Sequence, residues 1–247
     1  MSNGDIIVNQ GLTHEGLPSV SVDNVFAQDR ASRYGDKYVR AVEGAKSHAL
    51  AQEASYFSIC NPTAGTAIAD GNASGFVTTT PTLLIFNNNA AGGKSLYLDA
   101  LDLIVTTAAG ASSTNFVAAA YLDTGNRYTS GGSAITPANV NMLSALTSGS
   151  IVHFGAITAT ASNAQRQIYN EIIRTVISVV GDKYKFRFGE TAPSVAGMPL
   201  EGTLQVERIC QLPPVVIPPQ CSFMLYTWGA SQGTARQHTF TGGFWER

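Results

Sequence analysis

Two proline pairs near the C-terminal end, Pro213-Pro214 and Pro218-Pro219, restrict this chain more than any other feature. Each proline holds φ near about −65° and lacks a backbone donor, so neither pair can lie inside a sheet. Val215, Val216 and Ile217 between them can form only a short edge-like or connecting piece. The run that follows, residues 221–228, reads Cys-Ser-Phe-Met-Leu-Tyr-Thr-Trp and is apolar on both parities. That pattern predicts a strand buried from both sides. A Gly/Ser/Thr-rich loop over 229–237 leads to residues 238–246, which carry Phe240, Phe244 and Trp245. The expectation is an all-β core completed by the last residues of the chain.

The start of the chain has a different character. Residues 1–28 alternate weakly and carry Gly, Pro and Asn, which suits an extended arm. Over 29–51 the period changes: Tyr38, Val42, Ala45 and Ala49 form one stripe of a helix, with Arg30, Arg33, Lys37, Arg40 and Lys46 mostly off it. Gly35 and Gly44 weaken such a helix by about 1 kcal/mol each relative to Ala. It therefore needs something to pack on, either its own domain or a partner. Residues 1–50 are expected to be a docking or assembly segment, with Arg30, Arg33, Tyr34, Tyr38 and Val42 as the candidate contact residues. Residues 51–247 are expected to form the β domain.

Within that domain, strands are expected over 56–61, 83–87, 95–106, 115–123, 151–158, 202–206, 221–228 and 238–246. Residues 63–80 read as mostly loop, 123–132 as a turn-rich exit, and 136–147 as a place for one helical turn after Pro137. In the segment 95–106 the apolar parity switches between Leu98 and Leu101, as a β-bulge would produce. Residues 167–180 have both helical spacing and many β-branched side chains. Gly181-Asp182 decides for a hairpin over 175–188, because a Gly-X pair suits a two-residue turn. Tyr184, Phe186 and Phe188 then alternate with Lys183, Lys185 and Arg187, predicting aromatics inward and cations outward. Long polar loops and irregular spacing without a repeat favour a two-sheet β-sandwich of jelly-roll type.

The chemistry on offer is thin. Charged residues are 13% of the chain, about half the usual share of roughly 25%, and the net charge is −2. No basic stripe is available for nucleic acid. No run approaches the length of a membrane-spanning helix, and the first residues lack the pattern of a signal segment. The odd set Cys60, Cys210 and Cys221 has no metal-ligand spacing and is expected to be reduced and mostly buried, as in a reducing compartment. His14, His48, His153 and His238 lie far apart, with His153 read as a face or core histidine; Glu171, Glu190, Glu201, Glu207 and Glu246 are too scattered to nominate a catalytic pair. Asp70-Gly71-Asn72 and Asp123-Thr124-Gly125-Asn126 offer oxygen atoms but lack the spacing of a calcium loop. No enzyme activity and no cofactor are therefore expected. Tyr121, Tyr128 and Trp228 are candidates for stacking on sugar rings, with core packing as the competing role.

Several phrases resemble those of virion structural proteins of tailed bacteriophages. They are the segment 29–39, the segment 81–99 with Leu-Leu-Ile-Phe-Asn and Lys-Ser-Leu-Tyr-Leu-Asp, the paired-proline platform and the Gly-Gly-Phe-Trp-Glu-Arg ending. The resemblance implies a jelly-roll protein displayed on a phage particle as a symmetric homo-oligomer, with a trimer the expected number. Its partners would be further copies of itself and other virion proteins such as the major capsid protein. The rival reading is a carbohydrate- or receptor-binding β-sandwich, which would need an exposed aromatic platform or a carboxylate-lined loop cluster.

Overall fold

The computed structural model describes residues 46–247 apart from 72–73, 109, 111–113, 162–163, 190–204 and 232. In chain order the elements are α1 (Lys46–Gln52), β1 (Tyr56–Cys60), β2 (Ile68–Ala69), β3 (Leu83–Asn87), β4 (Leu96–Thr107), β5 (Phe116–Thr124), β6 (Tyr128–Ile135) and β7 (Ala138–Asn139). They continue with β8 (Ser150–Ala159), β9 (Arg166–Arg174), β10 (Lys183–Phe188), β11 (Glu207–Leu212), β12 (Val216–Ile217), β13 (Cys221–Trp228) and β14 (Gln237–Glu246). The arm over 1–28, most of the expected helix, and the candidate contacts Arg30, Arg33, Tyr34, Tyr38 and Val42 lie outside the described residues.

The strands form an all-β sandwich of two sheets. One is ordered β11-β10-β4-β14-β1-β7, with β12 on β4 and β2 on β14; the other is ordered β6-β8-β3-β13-β5-β9. The eight-stranded sheet is antiparallel except for β10 and β11, which run parallel. The core is sealed by aromatic pairs that reach from sheet to sheet. Phe154 stacks on Phe240 at 4.2 Å, Phe116 meets Tyr184 at 4.7 Å, and Phe188 meets Phe223 edge-on at 5.7 Å. Each such ring removes a large apolar area from water and fixes sheet spacing by its own dimensions.

The paired prolines act as expected. Only Val216 and Ile217 between them pair, with Tyr97 and Leu96 of β4. β13 is central in its sheet, between β3 and β5. Phe223 and Leu225 enter the main core, while Met224 and Tyr226 join Leu84, Phe86 and Ile157 in a second apolar layer on the outer face. The parity switch in β4 is a bulge: Gly243 of β14 faces Ala100 and Phe244 faces Leu98, leaving Asp99 as the extra residue. A Cβ on Gly242 would come within 2.7 Å of the Ala100 carbonyl oxygen, so the Gly-Gly pair is a packing requirement of that bulge.

Five expectations need correction or narrowing. There is no hairpin over 175–188: β9 pairs with β5 in one sheet and β10 with β4 in the other, so 175–182 crosses between sheets. Residues 136–147 hold no helix, but the two-residue β7 paired to β1 and a loop with one tight turn at 142–143, where the Ser144 N–H donates to the Asn141 carbonyl at 3.0 Å. The turn-rich exit after β5 is short, and β6 begins at Tyr128; Gly131 and Gly132 adopt φ of 75° and 67°, bending this strand where the sequence suggests only a turn. Of the strand expected at 202–206, residues 202–204 lie outside the described residues and Gln205 and Val206 are in no strand; the next described strand is β11, where Ile209 on the exposed parity masks the alternation. The cysteines are all free thiols, but only Cys210 is buried, Cys221 is half-buried and Cys60 is exposed. Cys60 takes the outward parity of β1, opposite the exposed Thr241.

Candidate functional site

The loop 140–147 carries its apolar side chains outward. Met142 is 93% exposed and Leu143 98%, with Val140 at 43% and Leu146 at 53%. Polar side chains within the loop hold it in one shape. Asn139 accepts the Asn141 N–H at 2.9 Å, Asn141 accepts the Leu143 N–H at 3.1 Å, and the Ser144 hydroxyl accepts the Leu146 N–H at 3.1 Å. These are Asx and Ser turns, which satisfy backbone donors locally and leave no need for the apolar tips to fold inward. The loop is also tied to the start of the domain. Asn139 donates to the Ala54 carbonyl at 2.9 Å, and Asn141 donates to the Gln52 carbonyl at 3.3 Å. The loop is thus held by its own hydrogen bonds with the Met142 and Leu143 side chains bare to solvent.

A second surface lies on the outer face of the six-stranded sheet. Cross-strand register puts Tyr121 of β5 beside Met224 of β13, and Val117 beside Trp228. Phe76, from the segment ahead of β3, lies across this face. Its ring centroid is 5.5 Å from Tyr121, 5.1 Å from Tyr226 and 5.4 Å from Trp228. Tyr226 is fully buried beneath, whereas Phe76 is 38% exposed and Tyr121 and Trp228 are half-buried. Burial pushes the Tyr226 phenol up to about 12, and the Tyr121 phenol also rises, so both stay neutral donors. Beside the rings runs β9, where Gln167 faces Tyr121 and Asn170 faces Ala119. The Tyr121 hydroxyl donates to Gln167 Oε1 at 2.9 Å, and Gln165 Nε2 donates to the Tyr226 oxygen at 3.2 Å.

The nearest approach to a catalytic constellation is sealed inside the protein. His238 Nε2 is 2.9 Å from Asp70 Oδ1, and Arg236 lies 4.1 Å over the Phe116 ring. Asp70, Arg236 and His238 are all buried, so no substrate reaches them, and burial lowers the Arg236 pKa. Asp182 is the centre of a second buried group. It pairs with Arg174 and accepts from the Val179 and Val206 N–H groups at 2.7 and 2.9 Å and from the Tyr184 hydroxyl at 3.1 Å. These groups hold loops and crossovers in place.

His48 is exposed on α1, and His14 lies outside the described residues. Asp70 is turned to His238 and lies 3.9 Å from Arg236, and Asp123 takes a two-pronged contact from Arg127 at 2.8 Å, so the carboxylates of both oxygen-rich loops are engaged by protein side chains. Among the described residues no group of three His, Cys, Asp or Glu could hold a metal ion. His153 is buried and stacks on Tyr128 at 3.7 Å, which explains why Tyr128 stands apart from the Phe76 cluster. Glu171 pairs with Arg208, Glu207 with Lys185 at 2.5 Å, and Glu246 accepts from Ser148 and from the Gly149 N–H. Glu190 and Glu201 lie outside the described residues. A cleft of about 320 Å³ between the 62–69 segment and Ser133 is lined by uncharged side chains such as Pro62, Thr66 and Ile68. No described helix is long and apolar enough to cross a membrane.

Of the sequence candidates, Tyr121 and Trp228 come together, and Phe76 is the member that sequence reading misses because it sits in a loop with no periodicity. Met142 and Leu143 fall in the stretch 136–147, where the sequence suggests a helical turn, which does not foretell their exposure. The sequence matches no known family model, no curated protein and no solved structure.

Proposed function

We propose that this chain is a non-enzymatic structural protein of a phage virion, a jelly-roll-type sandwich that assembles as a homo-oligomer with a trimer as the expected number. Its partners in this reading are copies of itself and other virion proteins such as the major capsid protein. The observation that carries the assembly part is the loop 140–147, whose Met142 and Leu143 tips are 93% and 98% exposed on a hydrogen-bonded frame. Side chains of this size lose about 1.5–3 kcal/mol of burial each when left in water, so a covered state is favoured. The occupant we assign is a second copy of the chain. The loop is bonded to Gln52 and Ala54, so it is anchored to α1 and the turn after it.

The virion part leans on the phrases quoted above. Those inside the described residues are β3, β4, the proline platform and β14, which are core strands and their turns. They carry resemblance in fold and packing; no functional residue travels with them.

The test is light scattering on the full-length protein at micromolar concentration, with Met142→Ser/Leu143→Ser as the paired variant. The expected outcome is an oligomer that the double substitution dissociates without lowering the unfolding midpoint of the isolated subunit. A wild-type protein that stays monomeric sinks the oligomer reading. For the virion assignment, the chain should copurify with assembled phage particles and occupy a defined place on imaged ones.

A further inference from the structure

We propose that the outer face of the six-stranded sheet, at Phe76, Tyr121 and Trp228 with Gln167 and Asn170 beside them, is a binding site for a neutral saccharide. The inference is independent of the oligomer reading and uses the opposite features of the molecule: rings and amides rather than aliphatic tips.

The argument starts from what a sugar ring presents. One face is a set of C–H groups, weakly positive and apolar, which lies favourably on the negative face of an aromatic ring. The rim is a circle of hydroxyls, each both donor and acceptor. A surface that takes such a ligand needs exposed ring faces and, at their edge, groups that both donate and accept. The primary amides of Gln and Asn do both, without charge. This sheet face has that arrangement. Phe76 is 38% exposed and lies 5.1–5.5 Å from its neighbours, near-parallel to Tyr121 and tilted 50° from Trp228, so the rings form one aromatic cluster that reaches the surface. β9 sets Gln167 across from Tyr121 and Asn170 across from Ala119 on the same face, both exposed.

The platform is also pre-shaped. Gln167 Oε1 is held by the Tyr121 hydroxyl at 2.9 Å, which directs the amide nitrogen of Gln167 away from that bond. The Tyr226 hydroxyl beneath donates to the Thr78 carbonyl at 2.8 Å and so pins the segment that carries Phe76. Little ordering cost is left for binding. Asp123, on the Tyr121 parity of β5, is bound by Arg127 in a two-pronged pair, and the groups that meet the rings along β9 are the neutral amides Gln167 and Asn170, an arrangement for a neutral ligand. Ile172, 51% exposed opposite Val117, extends the apolar floor past Trp228 and gives room for more than one sugar unit.

The probes are three neutral oligosaccharides, maltohexaose, cellohexaose and chitohexaose, titrated at millimolar concentration into the full-length protein. Tryptophan emission is the readout, with Trp228→Phe identifying the responding tryptophan, since Trp245 stacks on Tyr97 elsewhere in the protein. At least one of the three is expected to shift Trp228 emission saturably. Phe76→Ala and Gln167→Ala should each weaken that binding about tenfold or more. Gln167 is exposed, so its substitution leaves the fold intact and keeps the test clear if Phe76→Ala loosens the loop. The proposal is overturned if none of the three oligosaccharides binds, or if binding survives Gln167→Ala unchanged. It is equally overturned if Phe76→Ala and Gln167→Ala alter the mass by light scattering instead, because the face would then be a subunit contact.

Discussion

His153 shows how one side chain can be read in the sequence and still hold a surprise. Flanked by Val152 and Phe154, it suggests a ring packed on a sheet face, and it is buried against Tyr128 at 3.7 Å. Its Nδ1 has no protein hydrogen-bond partner, and burial lowers its pKa below the usual histidine value of about 6.5. The folded state thus holds His153 neutral where the unfolded chain would take a proton. By linkage, stability is fully present above about pH 6.5 and declines as pH falls from there toward the folded pKa. His153→Phe keeps a stacking ring and removes the proton. Urea unfolding at a series of pH values should show a shallower acid-side loss in the variant than in the wild type. Identical slopes would mean that His153 is solvated or already charged in the fold. Sequence spacing supplied the face of this residue, but the stack depends on Tyr128, which belongs to a strand that the Gly-Gly pair at 131–132 concealed.

At the scale of elements, β10 was the clearest signal in the chain and its partner was the least clear. Tyr184, Phe186 and Phe188 are buried while Lys183 is exposed, as strict alternation predicts. Alternation reports in and out; it does not say which of two sheets a strand joins. The missed clue is Asp182, which shares the parity of Tyr184 and is fully buried. A carboxylate on a core-facing parity requires partners, and it finds Arg174 at the end of β9 together with the Val179 and Val206 N–H groups. The segment 175–182 is therefore a braced crossover between sheets. Phe186→Ala should cost about 3–5 kcal/mol through lost burial and the cavity left behind. Asp182→Ala should cost a comparable amount, because it leaves Arg174 buried beside missing acceptors. Lys183→Ala should change little. Urea midpoints decide: an Asp182→Ala midpoint near that of Lys183→Ala would show that the crossover does not depend on this carboxylate.

For the molecule as a whole, the sheet edges limit how copies can meet. β7 has two residues, β6 and β9 carry register breaks, and β11 ends at Pro213-Pro214 with Arg208 bound to Glu171 of β9. Such edges resist strand-to-strand joining. The sandwich itself was legible because its strands are buried on one or both parities and its turns are marked by Pro and Gly. The surfaces were not, because exposure of Met142, Leu143 and Phe76 depends on loop shapes that no periodicity encodes. Leu50 is 2% exposed, and its carbonyl accepts the Ser55 N–H at 2.9 Å, so α1 packs with the sandwich. The main core draws on residues from Phe57 onward, and the contacts divide the chain between Ala45 and Lys46. A chain beginning at Lys46 should therefore fold alone, with a cooperative urea transition and native near-ultraviolet circular dichroism. A non-cooperative transition would show that residues 1–45 complete the core. If it folds yet no longer joins phage particles, residues 1–45 carry attachment; if it still joins them, attachment lies in the sandwich, and the loop 140–147 becomes the surface to alter next.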